Sequence, residues 1–268
     1  MKFKTVHNEA VRCIKNNFWK LFFITLLNSI IAVALTRFSE EFETSIFKIL
    51  IFVISYVITV PLSYGVVVSY IKSSREEAVS VFDFISDGLK SFKRIWCVFG
   101  RTILKLILPA ILLIIGYAIG IVLFAYATFS SLSGNADSIT LELVLSAVVI
   151  FAVTIFYVVK SLLYSLTNYI LYDNPELTSK EIVEESATMM RGNRLSLFLL
   201  GLYMIILYSI LFGICYAIIN LIPTIVSSLL SILLMFCGSI ILLPYSMGLQ
   251  VAFYNLLKGS DKTESENK

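Results

Sequence analysis

The sequence predicts an all-α, polytopic membrane protein with six transmembrane helices arranged as three hairpins. Three observations carry that prediction. From Leu195 to Leu257 not one side chain is charged. About 20 apolar residues, at a rise of about 1.5 Å each, cross the hydrocarbon core of a bilayer. The run is too long for one crossing and suits two, broken near Asn220 and Pro223. Second, hydrophobic residues make up 58% of the chain and charged ones 15%, with a mean hydropathy of +0.90. Soluble domains carry about 25% charged residues, so the apolar excess has to face lipid or other helices within it. Third, the apolar runs do not alternate, which excludes a membrane barrel. Helices are the other structure that satisfies every backbone group inside lipid.

Charge-poor runs place the spans at Phe18–Leu35, Ile46–Ile71, Ile103–Phe129, Ile139–Tyr172, Leu195–Ile219 and Ile225–Leu257. Charge then orients them. All of the 21 lysines and arginines except Arg37, Lys48 and Lys160 fall in the amino-terminal segment, the second and fourth connections, and the tail. Positive charge stays cytoplasmic, so both termini are expected inside. The outer loops are short and lean acidic, with Glu40, Glu41, Glu43, Asp137 and Glu142. A competing reading takes the lysine-rich start, Leu21–Ile31 and Ala32-Val33-Ala34 as a signal peptide with its cleavage site. Glu9 and the helix-like segment before the run argue against it.

Three cytoplasmic segments resemble one another. Each is an amphipathic stretch, a basic or Gly/Asn break, and an aromatic or leucine-rich entry into a span. In the first, Val6, Ala10, Cys13 or Ile14, and Phe18 share a side. The second places Val81, Ile85, Leu89, Phe92 and Trp96 on one face, with Ser80 and Asp83 as a start signal. The third opens on a Thr178-Ser-Lys-Glu181 capping box. It groups Ile182, Val183, Ser186, Ala187 and Met190, and stops at Gly192, where a left-handed cap suits glycine. The return spans rhyme too, with Tyr64, Tyr164 and Tyr245 at matching places. The chain therefore reads as a single six-helix membrane domain over residues 1–258, built of repeats 1–72, 78–173 and 176–257. A disordered cytoplasmic tail covers 259–268. A pseudo-threefold arrangement of hairpins follows from the repeat; three unrelated hairpins of shared composition is the alternative. The amphipathic helices are expected near the headgroups.

Few residues offer chemistry. Lys160 lies well inside a span and shares a helical face with Tyr157, Tyr164 and Asn168. A lysine snorkelling to the interface is the bland reading. A cavity or headgroup contact made by these four with Tyr245 is the sharper one. Pro61, Pro109, Pro223 and Pro244 could free backbone carbonyls, although Pro109 and Pro223 read better as span ends or turns. Gly116 and Gly120 form one GxxxG, which permits close helix packing. The acidic Glu176, Glu181, Glu184 and Glu185 beside Asp173 read as a solvated helix face, with a partner-binding surface as the alternative. Cys13, Cys97, Cys215 and Cys237 are isolated and His7 is the one histidine, so no metal site or disulfide framework is expected. The sequence holds no phosphate loop, zinc-protease pair or nucleophile elbow. No catalytic residue and no cofactor is expected, and nothing supports nucleic-acid binding. The expected partners are the bilayer, anionic lipids included, and other membrane proteins.

The carboxy-terminal part resembles the bacterial integral membrane family known as domain of unknown function 975. The likeness rests on Asp173-Asn-Pro175 after a return span, on SATMMRGNRLSLF (Ser186–Phe198), and on LPYSMGLQVAFYNLL (Leu243–Leu257). The matching motif positions are Asp173, Pro175, Met189, Met190, Gly192, Pro244, Tyr245, Phe253 and Tyr254. Arg194 stands where the family has lysine, and LYMIILYSILFG replaces its usual fifth-span stretch. A looser similarity links the chain to the membrane portions fused to some glycerophosphodiester phosphodiesterases, without their catalytic domain. The resemblance implies a multi-span protein of the bacterial cytoplasmic membrane with no assigned activity. The leading expectation is a non-enzymatic scaffold or accessory protein for lipid or envelope processes. A transporter or permease for a small amphiphile or peptide is the alternative, and a lipid-modifying enzyme a distant third.

Overall fold

A computed structural model describes residues 3–40, 45–132, 136–221 and 225–266, and omits the side chains of 39–45, 131–140, 221–225 and 260–268. The turn expected at Pro223 and the loop acids Glu41 and Glu43 lie outside the described residues, as do the side chains of Glu40 and Asp137. Every described element is an α-helix. In chain order they are α1 (Phe3–Lys15), α2 (Phe18–Glu40), α3 (Ser45–Ser74), α4 (Asp83–Lys90), α5 (Phe92–Leu132), α6 (Ala136–Leu162), α7 (Thr167–Asp173), α8 (Ser179–Met189), α9 (Arg194–Leu221) and α10 (Ile225–Glu266). Six stretches are long and apolar enough to cross a membrane: Phe18–Phe38, Ile46–Ser74, Phe92–Ser130, Leu141–Asp173, Arg194–Asn220 and Val226–Gly259.

The elements depart from the sequence reading in four places. The third span helix starts at Phe92 rather than Ile103, because Ser91 alone interrupts the chain there and Lys93, Arg94 and Arg101 are good helix formers. Pro109 lies inside α5 and does not end it; membrane helices tolerate the missing backbone bond. The fourth span is broken: α6 stops at Leu162, and a turn over 163–166 precedes α7. The last helix runs on to Glu266, through most of the segment read as a disordered tail.

The chain divides into two compact units. The first comprises Met1–Trp96, Asn168–Glu176 and Leu195–Lys268. In it α1 buries Val6, Ala10, Cys13 and Ile14 and packs on α10. A methyl group added at Gly248 would lie 3.0 Å from the Ile14 side chain and 3.2 Å from the Ala10 carbonyl oxygen. Burial pushes the Cys13 thiol up to about 12. Helix α4 packs on α3 still more closely. A methyl at Gly65 would fall 1.8 Å from the Phe84 carbonyl oxygen, and one at Gly88 2.3 Å from that of Pro61. Only hydrogen fits at either position. Helices α2 and α3 share a bond between Thr25 Oγ1 and Tyr70 OH (2.9 Å). Ser231 Oγ of α10 donates to Cys215 O of α9 (3.3 Å).

The second unit comprises Cys97–Thr167 and Leu177–Arg194. Gly116 and Gly120 admit Val153 and Ile150 of α6 against α5, where a methyl would come within 2.5 Å of each. Ser146 Oγ donates to Gly120 O (2.7 Å). Helix α8 begins with the expected capping box: Thr178 N donates to Glu181 Oε2 (2.8 Å) and Glu181 N to Thr178 Oγ1 (3.4 Å). Those bonds hold the Glu181 carboxyl below the usual glutamate range. Gly192 has φ +84°, the left-handed conformation that favours glycine. Ser186, fully buried, repairs the break in the fourth span. Its Oγ donates to Leu163 O (2.9 Å) and accepts from Leu166 N (3.3 Å), so the turn leaves neither group unpaired.

In the first unit buried side chains gather at 21–25, 62–71, 169–171 and 249–257, and in the second at 163–167 and 182–190. The most apolar window of each span is between 6% and 22% buried within the protein. The rest of that surface is apolar and has to be covered by lipid or by other helices.

Candidate functional site

The most elaborate polar cluster of the first unit is built on Asp173. Pro175 forbids continuation of α7 and biases the residue before it away from the helical region, so the helix stops at Asp173. The carboxylate side chain is 1% exposed, and charged groups are rarely that buried without partners. Here there are three. Arg75, just past the end of α3, donates from Nη2 to Oδ1 at 2.6 Å. Tyr254 OH and Lys258 Nζ, both on α10, donate to Oδ2 at 2.7 and 2.5 Å. The carboxyl ends of α3 and α7 and the flank of α10 therefore meet at one carboxylate.

Aromatic and amide groups frame the node. The Arg75 guanidinium lies over the Tyr172 ring, 5.6 Å from its centre. Tyr169 and Tyr254 rings lie 5.2 Å apart, and Tyr169 OH donates to Gln250 Oε1 (3.2 Å). Asn255 Nδ2 donates to Ser74 Oγ (3.0 Å). Arg94 Nη2 donates to Asn174 O (3.2 Å), serving a carbonyl beyond the end of α7. Lys72 pairs with Asp87 of α4 at 2.7 Å. Both oxygens of Asp173 are occupied, so it is poorly placed to shuttle protons. Arg75 and Lys258 keep about a third of their side-chain surface open, 34% and 35%. Two cations around one carboxylate leave a net positive edge, suited to an anion.

A second polar contact joins α1 to α10. His7 Nδ1 and Tyr245 OH lie 2.6 Å apart, and Phe3 meets Tyr203 edge-on with ring centres 4.9 Å apart. On its outer side α1 carries a groove of about 380 Å³ lined by His7, Asn8, Val11, Arg12, Lys15 and Asn16.

The expected cavity residues fare differently. Lys160 sits in the last turn of α6, exposed, with its ammonium 5.6 Å from the Phe156 ring centre. A cation there favourably opposes the negative end of the helix dipole. Tyr157 is half-buried on α6, and Tyr164 lies half-buried in the turn. That turn interrupts the register that would carry 157, 160, 164 and 168 along one face. Asn168 belongs to α7 in the first unit. Tyr245 is 8% exposed and engaged with His7.

Among the motif residues, Asp173 and Tyr254 are brought into direct contact. Phe253 and Met190 are fully buried, Met189 is half-buried, and Pro244 lies within α10. Sequence reasoning missed Arg75 and Lys258, which it counted only as topology charges. A signal was available. Pro61-x-x-x-Gly65 and Pro244-x-x-x-Gly248 are the same motif, and both cations follow at the same distance from the proline. In that alignment the glycines, which receive the short helices, are equivalent. Tyr64 and Tyr245, matched in the sequence reading, fall two positions apart.

The family model described as "Protein of unknown function (DUF975)" matches residues 1–261, and the chain belongs to that family. No curated protein and no solved structure matches it.

Proposed function

We propose that this DUF975 family member is a non-catalytic scaffold or accessory protein of the bacterial cytoplasmic membrane, with both termini cytoplasmic. Its six spans form three hairpins, each preceded by a short helix at the inner headgroup level. The observation that carries the reading is the Asp173 node. The buried Asp173 charge is spent on fastening the ends of α3 and α7 to α10, while the apolar flanks stay open for lipid or for partner helices.

The distances along the spans support the placement. From Ile46 to Gly65, where α4 crosses α3, the rise is about 28 Å; from Val226 to Gly248, where α1 crosses α10, it is about 33 Å. From Leu141 to Leu163, where Ser186 of α8 docks, it is also about 33 Å. A hydrocarbon core is about 30 Å thick. Each short helix therefore meets its span where the acyl region ends. The basic groove of α1 and the positive edge around Arg75 and Lys258 fit contact with anionic phospholipid. The transporter reading draws less support, since Tyr245 is committed to His7 and the Lys160 face is interrupted.

The test is extraction of the tagged protein from its own membrane in polymer-bounded lipid discs. A membrane-protein partner at defined stoichiometry, anionic lipid enriched over the bulk, and altered envelope lipid composition after gene deletion are the expected results. A solitary protein in bulk lipid, with no change on deletion, overturns the reading.

A further inference from the structure

We propose that the outward face of α4 inserts into the inner leaflet: Phe82, Ile85, Leu89 and Phe92 enter at the level of the phospholipid glycerols, and Lys90 and Lys93 hold anionic phosphates. The inference deepens the membrane reading above and rests on it.

Which face of α4 meets protein is the starting point. The apolar stripe of this segment runs through Val81, Ile85, Leu89 and Phe92, and amphipathic logic turns such a stripe toward the core. The structure does otherwise. Helix α4 buries Phe84 and Gly88, which lie to one side of the stripe, and does so against Gly65 and Pro61 of α3. Within the stripe Val81, Ile85 and Trp96 are half-buried, while Leu89 and Phe92 are open. Phe82 is 69% exposed, Leu89 59% and Phe92 38%. Large apolar side chains that adjoin one another and stay this exposed need another cover.

Three observations say what the cover is. The first is depth. The α4–α3 crossing lies about 28 Å along its span from Ile46, where hydrocarbon gives way to headgroups. The second is rigidity. Backbone meets backbone at Gly65 and Gly88, so α4 cannot roll its stripe inward without a steric clash. The third is charge. Lys90 and Lys93 are exposed and flank the stripe, as cations do on helices that lie in an anionic interface. The other short helices show this combination less. The exposed positions of α8 are Lys180, Glu181, Glu184 and Thr188, and those of α1 include Lys4, Arg12 and Lys15. Helix α1 exposes Phe3 and Val11 beside its cations at 46% and 40%, less than Phe82 and Leu89 of the α4 segment.

Single tryptophans in the full-length protein test this. The background carries Trp19→Phe and Trp96→Phe. Four variants add one tryptophan each: Leu89→Trp and Phe82→Trp on the α4 face, Thr188→Trp on α8, and Leu112→Trp within the third span. Each is reconstituted in bilayers of mixed anionic and zwitterionic lipid, brominated near the glycerol in one lipid class at a time. At positions 82 and 89 the expected result is blue-shifted emission, quenched at least about twofold more than at 188. Brominated anionic lipid should quench more than brominated zwitterionic lipid, and Lys90→Gln with Lys93→Gln should abolish that preference. Aqueous emission at 82 and 89 with strong quenching at 112 overturns the proposal and leaves the six-span reading standing. Blue-shifted but unquenched emission at 82 and 89 overturns it too, since a second copy or a protein partner then covers the face. An unquenched Leu112→Trp sinks the six-span reading and the proposal together.

Discussion

At Asp173 a buried charge is made tolerable by saturation. Burying an ion is costly unless its partners are close and its remaining lone pairs are filled. Arg75, Lys258 and Tyr254 meet both conditions. Replacing Asp173 by Asn keeps the shape but leaves two cations facing each other across a neutral amide. Their partial exposure lets water recover some of the loss, so the expected destabilisation is about 2–3 kcal/mol. The exposed pair between Arg12 and Glu76, 3.3 Å apart with 67% and 64% side-chain exposure, is the internal comparison. Glu76→Gln should cost less than about 0.5 kcal/mol. Unfolding in detergent at low and high salt separates the two, because screening erases the exposed pair and spares the buried one. Equal losses, or a salt-erased Asp173→Asn effect, would contradict the assignment. Half of this node was legible in the sequence. The Asp-x-Pro motif marked Asp173, and the closing aromatic motif marked Tyr254. The basic partners were not, because a sequence shows on which side of the membrane a lysine lies and not which carboxylate it meets.

Helix contacts in this protein are made through what is missing from the side chain. Gly65 and Gly88 let two backbones touch. Gly201 and Gly213 of α9 have nothing within 4 Å of an added methyl. The two kinds of glycine should respond oppositely to alanine. Gly65→Ala drives a methyl into the Phe84 carbonyl, which is backbone and cannot step aside, and should destabilise by about 3 kcal/mol or more, or dislodge α4. Gly201→Ala should gain up to about 1 kcal/mol of helix propensity. Paired melting curves in one detergent check both, and a tolerated Gly65→Ala would mean that α4 does not sit where it is described. Spans, the α8 cap and the Gly192 stop were all readable from pattern, since charge gaps and capping chemistry are local. The protein-facing side of α4 was not. Periodicity finds the apolar face of a helix, but inside a membrane lipid is as apolar as leucine, so hydrophobicity alone does not say which of the two will cover it. The break after Leu162 escaped for a related reason: no Pro or Gly announces it, and the serine that repairs it arrives twenty residues later.

Over the whole chain, each short helix docks on a span helix or on the turn after one. Helix α4 docks on α3, α8 on the turn that follows α6, and α1 on α10. The small residues Gly88, Ser186 and Ala10 lie at the three contacts. This pattern is the one the proposed threefold internal repeat would produce. It also makes the first helix depend on the last span. Until α10 is in place, Val6, Ala10 and Ile14 lack their main partner, and His7 lacks Tyr245. Closing contacts of such long sequence separation carry the largest loop entropy and form late. Gly248→Leu should therefore expel α1 selectively, because the added side chain occupies the space of Ile14 and the Ala10 carbonyl. In inverted membrane vesicles, trypsin should then cut at Arg12 or Lys15 in the variant within a time that leaves the parent intact. Right-side-out vesicles should protect both proteins if α1 lies on the cytoplasmic face, as proposed. Cleavage of the variant from the outer side would reverse the orientation drawn from charge. Equal resistance of variant and parent would mean that α1 is held without α10.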